Sequence, residues 1–479
     1  MFRVTQHQVS NTTIAQLAKH TSEMYRVQQR VSSGLRIEKP SDDPAGIRRS
    51  LVQKDRVSRL EAQEISLVHV ESRINSAHVQ LREAGNLLLR ARSVALNAQQ
   101  ATDPSEISVL ATELDGILSQ MVSVANSSDE SGYLFAGTAS LTRPFPNLNS
   151  TGRNQYDGTS ATTVLHMTGD IQRNALLPGD MVFQPNERGA TRIVGTTGAQ
   201  PGQGTDTAKG VQALLVNNTS TIYAGASGIN SGTSASQIDS IVGPAGAHSL
   251  QIIDTSGTGA FGTISLDGGP AVAFSSSDTD LVINGPTGQQ ISVNTTSIVA
   301  GFNGSVSITA NGTMSIDGGL TSTAIDFSAN QVVTDSRDGT ILNINSTQIR
   351  NAGEDQIEFP GTADAFAAIV NLKNDILNSR NLSASERAAA IDRRLGDIEV
   401  NRNHVLDVIG VQSVSLEQID RLKTRTEDLK LTEKLELNET IAADISEAVV
   451  RLQEIQNLQE YTMASIARVL APNLLNYLT

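Results

Sequence analysis

The sequence predicts an α+β fold: long antiparallel helical coiled-coil arms from both chain ends, with an inserted antiparallel β domain between them. Three observations support this prediction. Apolar residues repeat every seven positions near both ends of the chain. No Pro interrupts residues 45–103 or 361–471. Between Gly210 and Ser336 there is no Lys or Arg, and short alternating stretches bounded by Gly and Asn replace the heptads.

The N-terminal arm carries the clearest periodicity. Leu67, Ile74, Leu81 and Leu88 recur every seven residues, and a second apolar position follows each of them three residues later. Such a pair of rows is typical of a coiled-coil seam. We therefore predict one helix from about Pro44 to Ala101 that needs partner helices along its length.

The C-terminal arm supplies a matching seam. Its core positions are Ile391, Leu395, Ile398 and Val405. Arg402 and Gln412 interrupt this seam, and polar residues at such positions can fix the register at some cost in stability. We expect a helix that begins near Ala388 and packs antiparallel to the N-terminal helix.

Shorter amphipathic helices are predicted at the two chain ends. Their apolar positions are Ile14, Leu17, Met24, Val31, Ile441, Ile445, Leu452, Ile455, Ile466 and Val469. Short helices with polar interruptions are marginal in water on their own. We therefore predict that the two ends pack against each other and form an assembly interface.

The central region is predicted to be strands. The stretches HSLQIID, GTISLDGG and QQISVNTT alternate apolar and polar residues between turn signals. SVSITANGTMSID adds an Asn-Gly pair at Asn311–Gly312, which is typical of a type I′ hairpin. LDGG at Leu266 and IDGG at Ile316 hint at a duplication. The tract from Gly195 to Ser236, rich in Gly, Ser and Thr, is expected to be partly loop.

Composition narrows the function classes. The chain has 479 residues, a net charge of −14 and no Cys. The charge argues against nucleic acid as a partner, and the absence of Cys excludes thiolate metal sites and Cys nucleophiles. No run of apolar residues is long enough for a membrane span, and no ordinary secretory signal precedes the first helix. We predict no membrane insertion.

No catalytic, metal or cofactor site is predicted. Asp42 and Asp43 lie in SDDPAG, where Ser41 or Asp42 can cap a helix that begins at Pro44, and calcium loops need ligands that are missing here. The seven His residues form no metal motif, and His69 and His78 are expected to be ordinary solvated positions. We therefore expect a protein that is not an enzyme and needs no cofactor.

Several motifs resemble the bacterial flagellin family. SSGLRIEKPSDDPAG, from Ser32 to Gly46, is similar to the segment after the first helix of that family. SGYLFAGTASLTRPF, from Ser131 to Phe145, and the ending LAPNLLNYLT are similar to segments of one member, and PGDMVF near Gly179 is a weaker likeness. The resemblance covers residues 1 to about 145 and about 361 to 479.

The resemblance implies an organisation in three parts. Residues 1–40 and 437–479 would be the terminal helical assembly domain, disordered in the free subunit. Residues 41–145 and 361–436 would be the long-helix rod domain, and 146–360 the inserted outer β domain. Within that insertion, we expect that Thr196 to Asp335 can be excised without loss of export or filament growth.

The resemblance also implies a function and partners. The chain would be a structural subunit of the bacterial flagellum that connects hook to filament, with the main filament subunit as the alternative. It would assemble with itself, with other hook-associated proteins and with flagellin, and it would use the flagellar type III export apparatus and an export chaperone. Its location would be extracellular, without a cleaved signal peptide. A coiled-coil adhesin is a further alternative, against which the missing signal and anchor argue.

Overall fold

The computed structural model describes residues 6–146, 155–166, 172–185 and 187–475. The chain forms two compact units. The first comprises Met1–Ile74, Leu165–Arg173 and Val414–Thr479, and the second comprises Asn75–Val164 and Asn174–Ser413. The three-part division expected from the sequence places its limits elsewhere and stays a prediction.

The elements alternate as the sequence predicts, with long helices towards both chain ends and strands between them. The helices are α1 (Gln6–Ser33), α2 (Pro44–Gln100), α3 (Pro104–Ala125), α4 (Gly179–Phe183), α5 (Ala235–Ile238), α6 (Ala365–Ile376), α7 (Ala384–Ile441) and α8 (Ile445–Leu475). The strands before the middle of the β region are β1 (Ser128–Asp129), β2 (Gly132–Tyr133), β3 (Thr163–His166), β4 (Gln172–Leu176), β5 (Arg192–Val194), β6 (Gln200–Pro201), β7 (Gly210–Tyr223), β8 (Asn230–Ser231) and β9 (Gly243–Asp254). They are followed by β10 (Phe261–Leu266), β11 (Val272–Ser275), β12 (Leu281–Asn284), β13 (Gln290–Asn294), β14 (Asn303–Ser315), β15 (Thr323–Ala324), β16 (Gln331–Thr334), β17 (Ile341–Asn345) and β18 (Gly353–Phe359).

The predicted fold class is confirmed. Helix α2 runs from Pro44 to Gln100, as its heptads indicate, and α7 begins at Ala384, four residues before the predicted start. Asp103 caps the next helix with Pro104 as its first residue, so the chain cannot continue α2 beyond this point. The strands predicted at HSLQIID, GTISLDGG and QQISVNTT are also confirmed as β9, β10 and β13.

Helices α3 and α6 were not predicted, and they pack against each other in the second unit. Helix α3 is the one helix of the described residues that is long and apolar enough to cross a membrane. Its face with Leu114, Ile117 and Met121 is fully buried. A buried core helix and a membrane span can have the same length and composition, so these two properties are weak evidence for a membrane segment.

The strands form one large sheet and several small ones. The large sheet has the order β11-β10-β9-β14-β7-β18-β5, with β15 also paired to β14. Two three-stranded sheets have the orders β12-β13-β8 and β16-β17-β6. Neighbouring strands in these three sheets are antiparallel, as predicted. The tract from Gly195 to Ser236 is partly loop, as expected, and it also contains the 14-residue strand β7.

The hairpin predicted at Asn311–Gly312 is wrong. Strand β14 runs straight through this pair, and the register to β7 shifts between the two residues, which marks a β-bulge. Neither residue has the positive φ that a type I′ turn needs. The glycine instead permits a close approach, because a Cβ on Gly312 would lie 2.8 Å from the carbonyl oxygen of Asn217.

The duplication hinted at by the two DGG motifs is present in the structure. Strands β12-β13-β8 are repeated by β16-β17-β6, and β11-β10-β9-β14 is repeated by β15-β14-β7-β18. The first half of β14 therefore closes the first module, and its second half continues the second module, which began with β6 and β7. Each module has its own apolar core: Ile291, Val293 and Ile298 lie in the first, and Leu342, Ile344 and Ile349 lie at equivalent places in the second.

Hydrogen bonds outside the strands repeat as well. The backbone N–H of Gly232 donates to Ser292 in the first module, and that of Gly202 donates to Asn343 in the second, each at 2.9 Å. Val299 donates to Ser227 in the same way that Arg350 donates to Thr197. In sequence, ISVNTTSI at residues 291–298 corresponds to LNINSTQI at residues 342–349. The insertion thus contains two copies of one β module, and the first copy is nested in the chain between β7 and the second half of β14, which belong to the second copy.

The points where the chain enters and leaves this pair are adjacent. The backbone N–H of Gly189 donates to the carbonyl oxygen of Pro360 at 2.8 Å. The next residue, Gly361, has a φ of 75° and packs so closely that a Cβ would lie 1.7 Å from the carbonyl oxygen of Glu187. The modules are therefore inserted at one place in the second unit.

An ionic cluster is buried beside this insertion point. Arg394, on α7, is 1% exposed. It pairs with Glu358 on β18, with Asp375 on α6 at 3.1 Å and with Asp397 on its own helix at 2.7 Å. Burial raises the pKa of the Asp397 carboxyl, and the charge of Arg394 opposes that rise. One cation thus links three elements of the second unit.

Candidate assembly surface

The first unit is built on a pair of terminal helices. Helix α1 packs along α8, with Val27 of α1 and Ile455 of α8 fully buried between them. Among the predicted assembly residues, Leu17, Met24, Val31, Ile441, Leu452 and Ile466 are half-buried, and Ile14 and Ile445 are exposed. Val469 lies outside the residues whose side chains are described. The predicted row therefore lies mainly along the helix pair, but its role in assembly stays a prediction.

Two chain joints lie side by side at the base of this pair. The α1–α2 joint and the α7–α8 joint exchange backbone hydrogen bonds: Arg36 N–H donates to Ile441 at 2.7 Å, and Ala443 N–H donates to Gly34 at 2.9 Å. The Arg36 side chain donates a further bond to the carbonyl oxygen of Thr440 at 2.9 Å. Gly34 has a φ of 70°, which suits glycine. These hydrogen bonds hold the C-terminal end of α1 next to the N-terminal end of α8.

The acidic pair in SDDPAG serves this joint rather than a metal. Asp42 accepts backbone N–H groups of Glu38 and Lys39, which lowers the pKa of its carboxyl. Asp43 accepts the N–H of Gly46 at 2.8 Å, so the cap of α2 is Asp43 and not Ser41 or Asp42 as predicted. The same hydrogen bond is the main cause that lowers the pKa of the Asp43 carboxyl.

The two long helices are joined in the first unit by a ladder of ion pairs. Glu71 pairs with Lys423 at 3.2 Å, Glu61 pairs with Lys434 at 2.8 Å, and Glu64 and Lys430 lie between them. As the residue number increases along α2, the number of its partner on α7 decreases, so the two helices are antiparallel. Beneath the ladder, Leu67 and Ile74 of the predicted seam are fully buried in the first unit.

The remaining seam positions lie in the second unit. Leu81, Leu88, Ile391, Ile398 and Val405 are buried, and Leu395 is half-buried. Arg92 and Glu399 pair at 3.0 Å with the same antiparallel direction. Gln412 is 1% exposed, and neither of its side-chain polar atoms has a partner in the described part of the chain.

The segments that carry the family resemblance meet in one aromatic cluster of the second unit. Phe135 and Phe145, from SGYLFAGTASLTRPF, contact Phe183, from PGDMVF, with ring centroids 5.4 and 5.7 Å away. Phe366 of α6 completes the cluster. Gly179 donates its N–H to the carbonyl oxygen of Phe135 at 2.7 Å. These motifs are therefore core elements and not reactive sites.

The structure describes the side chains of five histidines: His20, His69, His78, His248 and His404. Among the described residues, no three His, Asp or Glu side chains are arranged to hold an ion. His69 is exposed as expected, whereas His78 is half-buried. His248, on β9, is buried, with a hydrogen bond to Asp267 at 2.6 Å and two to backbone carbonyl oxygens.

What distinguishes the first unit is the apolar surface that it leaves uncovered. Large apolar side chains with roughly half or more of their surface exposed occur on every helix of this unit. They include Ile14, Tyr25, Leu51, Val52, Ile65, Leu431, Leu435, Val450, Leu458, Tyr461 and Met463. A thin layer of helices cannot bury both of its faces, so these side chains are candidates for contact with a partner. Ile14 was among the predicted assembly residues, whereas the other members of this exposed set were not predicted.

This architecture, long terminal helices around an inserted β domain, is the one that the resemblance to the flagellin family implied. Residues 4–140 match the bacterial flagellin N-terminal helical region, which confirms the resemblance predicted from the sequence motifs. The particular protein it resembles is hook-associated protein 3. The flagellar hook-associated protein 3 of Salmonella typhimurium is 23% identical over 145 residues, which are 30% of this chain and 46% of that protein. The match therefore spans about half the length of the curated relative.

Solved structures of similar proteins come from other bacteria. Hook-associated protein 3 of Legionella pneumophila is 18% identical, with a TM-score of 0.44 over 81% of this chain and 98% of its own. The FlgL protein of Xanthomonas campestris is 18% identical, with a TM-score of 0.40 over 80% of this chain and 97% of its own.

Proposed function

We propose that this protein is a structural, non-catalytic subunit of the bacterial flagellum that connects the hook to the filament. The observation that carries the proposal is the exposed apolar surface of the first unit, on the same arm that carries the flagellin N-terminal region. A subunit inside a larger assembly can cover this surface with its neighbours, whereas a free enzyme or adhesin would gain nothing from it.

The terminal helices are proposed to drive assembly. Residues 1–40 and 437–479 hold α1 and α8, whose mutual contact buries only one stripe of each helix. Helices of this kind gain stability mainly from packing and not from intrinsic propensity. Ordering them at a subunit interface delays the entropy cost of folding until partners are present.

The partners follow from the same proposal. They are further copies of this chain, other hook-associated proteins and flagellin, and before assembly the flagellar type III export apparatus and an export chaperone. The site of action is extracellular, at the hook–filament junction. The main filament subunit remains the alternative, but the relatives described above are named as hook-associated or junction proteins, which favours the junction.

Two deletions test the proposal. A chain without residues 1–40 and 437–479 should fold and be exported, yet be absent from isolated flagella. The intact chain should appear by immunogold labelling in a thin zone at the hook end of the filament. Labelling along the whole filament would favour the flagellin alternative, and assembly of the trimmed chain would refute the role of the terminal helices.

The second deletion removes the β modules. The sequence suggested excision of Thr196 to Asp335, but that cut removes β6, β7 and β16, so β17 loses both of its neighbours and β18 keeps only β5. Excision of residues 190–359 instead joins Gly189 to Pro360, which already share a hydrogen bond, and it takes Glu358 out of the cluster around Arg394, where Asp375 and Asp397 remain. Cells with this deletion should stay motile. Secretion of unassembled filament subunits into the medium would show that the modules belong to the junction itself.

A further inference from the structure

The first turns of α2 carry an open groove of about 530 Å³ in the first unit. Its lining is basic and apolar: Arg48, Arg49, Val52 and Arg56 contribute, with Ala45 and Gln53 at its ends. Arg49 is exposed and makes no hydrogen bond or ion pair within the described part of the chain. Arg56 reaches Glu433 at 3.1 Å but keeps 59% of its side chain exposed.

Helix α8, in the same unit, carries a face with two exposed acidic residues and with Arg451 exposed between them. Glu447 and Glu454 are exposed on both sides of Val450, and Leu458 and Tyr461 continue this face towards the C-terminus. Neither Glu447 nor Glu454 has an ion-pair partner among the residues that the structure describes. This acidic face is separate from the stripe of α8 that packs on α1.

The two faces match in spacing. Arg49, Val52 and Arg56 stand at positions i, i+3 and i+7, and so do Glu447, Val450 and Glu454. Residues at this spacing lie on one side of a helix, and the two charges of each face are about 10.5 Å apart along the axis. Two helices laid side by side in parallel would therefore pair each Arg with a Glu and each Val with the other Val.

We propose that the groove of α2 binds the α8 acidic face of a second copy of this chain, with Arg49 beside Glu447, Val52 against Val450 and Arg56 beside Glu454. This inference rests on the proposed function and names the contact through which the subunits would join. Charge complementarity across the pair favours this register, and because a reversed helix would also bring each Arg beside a Glu, the parallel direction is assigned from the alignment of Val52 with Val450 at the same i+3 position. Because each copy offers one groove and one acidic face, the contact is head-to-tail and builds a ring or an open helix rather than a closed dimer.

Disulfide trapping tests the contact directly, because the natural chain contains no Cys. The full chain with Val52→Cys and Val450→Cys is oxidised both as purified protein at high concentration and on sheared flagella. We expect a ladder of covalent multimers, since each chain joins two neighbours. The matched control, Val52→Cys with Val449→Cys, moves the second thiol to another face of α8 and should give far less product. An equal ladder in the control, or no ladder in either sample, overturns the proposed contact.

Charge reversal provides a second, independent test. Arg49→Glu and Glu447→Arg, each alone in the full chain, should weaken self-association about tenfold or more, because like charges would then face each other. A mixture of the two variants should associate normally, since each then offers a compatible face to the other. Thermal unfolding of each variant controls for folding. Failure of the mixture to recover overturns the pairing, whereas absence of the intact chain from flagella would overturn only the proposed function.

Discussion

Replacement of Arg394 by Met should strongly destabilise the second unit. The side chain is 1% exposed and donates hydrogen bonds to Glu358, Asp375 and Asp397. Met fills a similar volume but leaves three carboxylates close together without their shared cation. Arg393 still contacts Glu358, and Arg380 still contacts Asp375. These neighbours are more exposed and compensate only in part.

The expected cost is about 3–5 kcal/mol, the range for removal of one partner from a buried ion pair. The loss should depend on pH. Burial already raises the pKa of Asp397, and removal of Arg394 takes away the main charge that opposes this rise. A carboxyl with a raised pKa in the folded state binds its proton more readily there than when unfolded, so the variant should regain stability as the pH falls from 7 towards 5.

Urea unfolding followed by circular dichroism at pH 7 and pH 5 measures both effects, since the chain has no Trp for fluorescence. Arg421→Met is the matched control, because this guanidinium also pairs with a carboxylate but is 76% exposed. Its loss should cost less than about 1 kcal/mol. If Arg394→Met is no more harmful than the control, or is not helped at pH 5, the cluster does not support the fold as argued here.

Three further substitutions address the seam and the duplicated modules, each measured by equilibrium unfolding. Leu81→Ala should cost about 2–5 kcal/mol because the side chain is fully buried, and Leu89→Ala, at a partly exposed position of the same helix, should cost much less. Gln412→Leu should stabilise the protein by about 1–3 kcal/mol, because two buried polar atoms without partners are removed; a loss of stability would reveal a partner for this amide. Gly198→Ala and Gly228→Ala should each cost at least about 1–2 kcal/mol from their positive φ alone, and the double variant should show the sum, since the sites lie in separate module cores.

The helices could be predicted because their signal is local and repeated. The heptads of α2 and the Pro residues at its two borders lie in or next to the helix that they specify. Tertiary contacts therefore did not need to be known to predict it. The same holds for Asp103, whose cap of α3 needs nothing beyond the next three residues. The cap of α2 was predicted at Ser41 or Asp42, because these residues and Asp43 are equally good caps in sequence, whereas in the structure Asp43 accepts the N–H of Gly46.

The Asn311–Gly312 error has a different cause. An Asn-Gly pair between alternating residues is compatible with a hairpin and with a bulge. What decides is the space beside the glycine, which the distant Asn217 and Val242 occupy. Local sequence carries no information about that neighbour, so the error could be corrected only with the strands in place.

Only part of the candidate assembly surface could be predicted, because the rest depends on contacts between helices that are distant in sequence. A periodic pattern identifies one apolar stripe per helix, and for α8 this was the stripe that contains Ile455. The second face, with Val450 and Leu458, has no regular apolar repeat of its own in the sequence. It can be recognised only when the structure shows that α1 packs on the other side of α8. Exposed apolar residues indicate a binding surface only when the structure shows that the neighbouring helix of the same chain packs on a different face.

The β modules show how such a chain can grow outward without a new fold. In each module a three-stranded sheet packs against the large sheet around its own core, to which the other module adds one residue: Val242 lies in the second core, and Tyr223 of β7 packs on the first. The two copies are nevertheless not independent, because β14 serves the first with Val306 and Ile308 and the second with Met314. Removal of the first copy alone would cut this strand, but its second half would keep β7 and β15 as partners, because the first copy lies in the chain between β7 and the second half of β14. The second copy cannot be lost alone in the same way, since it encloses the first, and loss of both copies would use the single point where Gly189 meets Pro360.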